Sequence, residues 1–153
     1  MKKVITKKVA EVFSILNEAK YAKLADADKI KVWKIVRALQ PVSSKYLEDV
    51  RDAEQKLMPD DDFQERLTVA QQYEVKRNNG EKVLPMTETE YMKVVEEFKE
   101  YRTLVDKAVE DFGNKEVELD FEPLSEAAFG QLMASNEWNM AQVMGIGEVI
   151  CNL

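Results

Sequence analysis

The feature that most constrains this chain is a pair of apolar seams kept in heptad phase. One runs Val32, Val36, Leu39, Ser43, Tyr46, Val50, Ala53, Leu57, in steps of 4, 3, 4, 3, 4, 3, 4. The other runs Tyr91, Val94, Phe98, Tyr101, Val105, Ala108, Phe112, in steps of 3, 4, 3, 4, 3, 4. An apolar residue every three or four positions lines one face of an α-helix, and a strand cannot reproduce that spacing. Two helices of ~35–40 Å follow, at about 1.5 Å per residue. Each has one face that needs covering, and an antiparallel pairing of the two within one chain is the simplest cover. Pairing with a second chain is the other.

Pro41 falls inside the first seam. Proline removes a helical hydrogen bond and crowds the preceding turn. It either kinks a continuous helix or starts a new one after Gln40. The unbroken phase favours the kink. Asp26 or Asp28 is placed to cap this helix, and Ile30 and Trp33 add a second apolar row that implies more than one neighbour.

An earlier helix is expected after Thr6 as N-cap, with Val9, Val12, Phe13 and Leu16 inward, fading near Lys20–Ala25. Met58 and Pro59 stop the long helix, and Asp60, Asp61 and Asp62 cap a short one carrying Phe63, Leu67 and Ala70. The aspartates are no EF-hand. That loop needs Gly sixth and Glu twelfth, where this chain has Glu65 and Gln71. Between Tyr73 and Met86, Asn79-Gly80 signals a turn. Tyr73, Val75, Val83 and Leu84 then form a small hairpin or an exposed loop.

Thr87 and Glu90 form a capping box for the second long helix, with Met86 and Tyr91 as its staple, and Gly113-Asn114 closes it. The period then changes. Val117, Leu119 and Phe121 alternate with Glu116, Glu118, Asp120 and Glu122, which predicts a half-buried strand. Its partner is Lys3–Thr6 or an arm of the hairpin. Ser125 caps a short helix, and Ser135 or Asn136 caps a last one, which Gly145 and Gly147 weaken.

The residue inventory narrows the chemistry. The 153 residues contain no histidine and one cysteine, Cys151. That excludes histidine-based couples, histidine ligands and an internal disulfide. Cys151 reads as a small apolar residue of the last helix. No carboxylate sits in an apolar stretch that would raise its pKa; Glu137 beside Trp138 comes nearest and reads as a helix first turn. Gly145-Ile146-Gly147 lacks the third glycine and preceding strand of a phosphate loop. The reading is a chain without catalytic function, cofactor or metal. No apolar run reaches the ~18 residues of a membrane helix. With no signal peptide visible, the expected compartment is the cytoplasm.

Charge is segregated. Residues 1–58 carry 13 Lys and Arg against 8 Asp and Glu, residues 59–153 carry 9 against 21, and the net charge is −7. The simplest use is basic and acidic parts packing together, in one chain or between chains. A nucleic-acid role for the basic stretch from Lys2 to Arg37 is disfavoured by the overall charge and by the single arginine there. An acidic strand mimicking phosphate before a basic partner is the other alternative.

The segment from Lys31 through Leu57, with Leu39-Gln40-Pro41 inside it, and the helix from Tyr91 to Phe112 followed by Glu116–Glu122 resemble in layout a loose group of short phage and prophage proteins of unassigned function. The resemblance spans about residues 6–122. It implies a mobile-element context and brings no functional residues with it.

The expected fold is mainly α: an elongated antiparallel pair of long helices with short extra helices and a small β element, in a single domain over residues 1–153. The expected role is non-catalytic protein–protein interaction or assembly, with a second copy or another protein as partner and neither nucleic acid nor membrane. The residues chosen for that contact are Val36, Leu39, Tyr46, Val50, Val94, Phe98, Tyr101 and Val105.

Overall fold

The computed structural model describes residues 2–80 and 87–151. Among them are six helices and one two-stranded sheet: β1 (Lys2–Ile5), α1 (Thr6–Glu18), α2 (Asp26–Lys56), α3 (Phe63–Asn78), α4 (Glu88–Gly113), β2 (Glu116–Leu119), α5 (Glu126–Ser135) and α6 (Met140–Ile150). The mainly helical class with a small β element is therefore as the periodicities predict. The chain gathers into two compact units, one of Met1–Asp49 with Asp111–Leu153 and one of Val50–Glu110. The long helices α2 and α4 contribute to both. They pack together as an antiparallel pair. In the first unit Gly113 faces the Tyr46 ring, and in the second the Tyr101 hydroxyl donates to the Glu54 carbonyl at 2.7 Å.

In the first unit, β1 and β2 pair antiparallel with Lys2 opposite Leu119 and Ile5 opposite Glu116. The period-2 pattern holds: Leu119 is buried and Val117 half-buried, while Glu116 and Glu118 face out. Thr6 does not cap α1 as expected. It is the first residue of the helix, and both its amide (2.8 Å) and its hydroxyl (2.7 Å) donate to the Lys115 carbonyl. The hydroxyl thus fastens the start of α1 to the start of β2.

Helix α2 runs unbroken through Pro41, the continuous alternative that the seam phase favours. Its core face carries Val32, Ile35 and Leu39, all buried beside Val9, Val12 and Leu16 of α1 and Ile146, Val149 and Ile150 of α6. Ile30 and Trp33 correct the expectation of a second packed row: they are 55% and 57% exposed. Helical phase explains this. At ~100° per residue, Ile35 and Leu39 lie within ~60° of Val32, whereas Trp33 stands ~100° round and Ile30 ~160°. The second inward position belongs to Ile35.

Ser125 caps α5 as predicted, its hydroxyl accepting from the Ala128 amide. The cap of α6 is Asn139, not Ser135 or Asn136. Its side chain accepts from the Gln142 amide, and Gln142 returns the bond. Asn136 is engaged elsewhere, exchanging two hydrogen bonds with the Lys20 backbone at 2.8 and 2.9 Å. Ser135 accepts from the Lys23 amide. Both residues tie the α1–α2 connection to the end of α5.

In the second unit, Phe63 is fully buried against Tyr101 and Val105, with Leu57, Met58, Leu67 and Val109 packed around them. Helix α3 is longer than expected. Tyr73 and Val75 are helical, which removes that arm of the hairpin; Val83 and Leu84 lie outside the described residues. Tyr73 keeps the helical phase of Phe63 and Ala70 and stacks on Tyr91 at 4.9 Å, so tertiary packing extends the helix. Gly80, with φ at 73°, takes the left-handed turn that ends it. Asp62 occupies the N-cap position without a side-chain bond. Asp60 supplies the local order instead, accepting from the Asp62 amide and from Arg66. The Thr87–Glu90 capping box is present, with reciprocal bonds of 3.2 and 3.4 Å. Met86, half of its staple, lies outside the described residues.

Candidate interaction surfaces

The residues chosen from the seams divide between the two units. Leu39, Val94, Tyr101 and Val105 are buried, so their first task is the internal core. Val36, Tyr46 and Val50 are half-buried. Phe98 differs: it is 40% exposed.

Phase does not explain Phe98, because it lies within ~40° of Val94 on α4. The cause is what α3 offers opposite. There the wall is made of Leu67, Ala70, Gln71 and Glu74, and small Ala70 and polar Gln71 do not fill the space. A groove of about 430 Å³ remains between α3 and α4, walled on the α4 side by Tyr91, Val94, Val95, Phe98 and Lys99. Its end is fixed. The Tyr73 hydroxyl donates to the Glu88 carboxylate, which pushes the tyrosine pKa up, and Arg77 pairs with Glu88 at 3.0 Å.

A second groove of about 690 Å³ between the same helices has charged walls, Asp60, Asp62, Glu65, Glu90 and Glu97 with Arg66 and Lys93, and an apolar part of Val69 and Val94. Arg66 bonds Asp60 at 2.6 Å and Glu97 at 2.8 Å. The Arg66 contact holds the Asp60 carboxyl below the usual range and raises the guanidinium. The acids are thus partly neutralised. Among the described residues, no cluster of carboxylates and thiol is arranged to hold a metal ion.

In the first unit the notable surface surrounds Trp33. A groove of about 320 Å³ is lined by Leu16, Tyr21, Val32, Trp33 and Val36, with Asn17 and Lys29 at its edge. The Arg37 guanidinium lies over the Trp33 ring, 5.3 Å from its centroid. Sequence reasoning assigned Trp33 to packing. The signal against that is its place one residue out of the seam, between cations at Lys29, Lys34 and Arg37.

The segregated charges meet inside this unit. Lys8 pairs with Glu148, Lys31 pairs with Glu122 at 3.2 Å, and Lys2 donates to the Cys151 carbonyl at 2.7 Å. Packing of the basic and acidic parts within one chain is therefore real. Glu116, Glu118 and Asp120 stay exposed. Cys151 is 3% exposed, and burial pushes its thiol pKa up, the opposite of an activated nucleophile. Among the described residues, no helix is long and apolar enough to cross a membrane. Comparisons with protein-family models, curated proteins and solved structures return no match.

Proposed function

We propose that this chain is a non-catalytic protein–protein interaction or assembly protein of the cytoplasm, and that it joins a second copy of itself through the α3–α4 groove. The layout resemblance suggests a phage or prophage setting. The observation that carries the reading is Phe98, a large aromatic side chain in seam phase, left 40% exposed at the rim of an apolar groove. Isolated exposed apolar residues are ordinary. One that borders a groove lined by Leu67, Tyr91, Val94 and Val95 is a contact awaiting a cover.

A second copy supplies the cover by symmetry. In a two-fold dimer each Phe98 enters the groove of the other protomer, and the self-complementary patch closes on itself. Aromatic anchors in desolvated pockets carry most of the energy of such interfaces. Sedimentation equilibrium on the wild type and on Phe98→Glu tests it. The wild type is expected at twice the chain mass and the variant at the chain mass. Equal masses for the two would remove Phe98 from the contact, and a wild-type monomer at all concentrations would end the self-association reading.

A further inference from the structure

A different surface, in the other unit, carries a different kind of partner. From Lys29 through Leu47 the chain has five cations, Lys29, Lys31, Lys34, Arg37 and Lys45, and no carboxylate. Lys31 is engaged with Glu122 and Lys45 with Asp49, and Lys29 reaches Asp26 at 3.8 Å. Among the described residues, Lys34 and Arg37 have no ion-pair partner. Both are exposed on α2 beside Trp33 and the exposed Ile30. This leaves positive charge, an aromatic plane and an apolar groove side by side.

We propose that this Trp33 face docks an acidic segment of another protein, which inserts one bulky apolar side chain into the groove while its carboxylates meet Lys34 and Arg37. Charge complementarity chooses the partner's sign. The groove chooses the insertion: its walls are Leu16, Tyr21, Val32 and Val36, and about 320 Å³ is at the small end of ligand cavities, space for one large side chain. The Tyr21 hydroxyl already donates to the Leu16 carbonyl, so the polar groups of the lining left for a ligand are Asn17 and Lys29. Stacking of Arg37 on Trp33 holds the guanidinium at the rim, where a carboxylate approaches it edge-on. A nucleic acid would also use tryptophan with cations. A mainly apolar groove and two free cations suit a peptide better than a phosphate backbone, which rewards many cations along a track.

The test is a random-peptide display selection on the folded chain, followed by calorimetry with the enriched peptides. Acidic peptides with a bulky apolar residue are expected. Affinity should fall at least about tenfold for Trp33→Ala and for the Lys34→Glu, Arg37→Glu double variant, with Trp33→Phe intermediate. It should also weaken as salt rises. Circular dichroism melts establish that the variants fold, as exposed sites should. No enrichment, enrichment of basic or neutral peptides, or equal binding by the variants overturns the proposal. So does tighter binding of an oligo-dT strand than of the selected peptides, and so does a change in self-association mass on Trp33→Ala, which would give this face to a second copy. Peptide binding is read whatever the mass of the wild type, so this inference and the Phe98 contact fail independently.

Discussion

At the scale of single residues, the structure separates side chains that hold the fold from those left exposed. Leu39 is fully buried among α1 and α6 residues, so Leu39→Ala should cost ~2–5 kcal/mol in chemical denaturation. Gly113 is required by space. A Cβ there would stand 3.1 Å from the Lys7 Cβ and 3.5 Å from the Tyr46 hydroxyl. Gly113→Val should therefore destabilise by ~1–3 kcal/mol through overpacking. In the sequence, Gly113-Asn114 marks a helix stop. The stop was legible from local pattern, but the approach of Lys7, far away in sequence, was not. Asp60 links structure to pH. Its pKa is lowered by Arg66, so its contribution is present above the ordinary carboxylate pKa and is lost as pH falls through the lowered value. The Tm gap between wild type and Asp60→Asn should accordingly be largest near neutral pH and close under acid.

At the scale of elements, starts and stops were legible where the signal is local. The Thr87–Glu90 box and the Ser125 cap depend only on neighbours three residues apart, and both form as read. Thr6, Ser135 and Asn136 have the same cap chemistry, but long-range partners claim them: Lys115, Lys23 and Lys20. A single sequence does not list that competition. Periodicity likewise fixed which face of α4 turns inward but not whether α3 would fill the space before it, and Phe98 is the result. Helix α2 offers a direct test. Pro41 is exposed inside an unbroken helix, so Pro41→Ala restores a backbone hydrogen bond at no packing loss. It should raise stability by ~1–3 kcal/mol, read by urea unfolding.

At the scale of the molecule, net charge misleads. The chain is acidic overall at −7, yet its basic part is partly spent inside the first unit, on Glu148, Glu122 and backbone carbonyls. What remains around Trp33 is a small positive island, and it became visible only once the internal pairs were known. The heptad seams pointed to contact between helices, and most of their residues are satisfied within the chain. The proposed self-association therefore rests on one groove rather than on a whole seam. Because that groove is mainly apolar, with Glu74 and Lys99 as its charged lining, the proposed association rests mostly on apolar burial rather than on attraction between charges.

The most direct test is solution mass by light scattering during size-exclusion chromatography, at low and at high salt. The account predicts a dimer at both, since screening weakens charge pairs and leaves apolar burial intact. A monomer at both salts, or a dimer that dissolves at high salt, would contradict it.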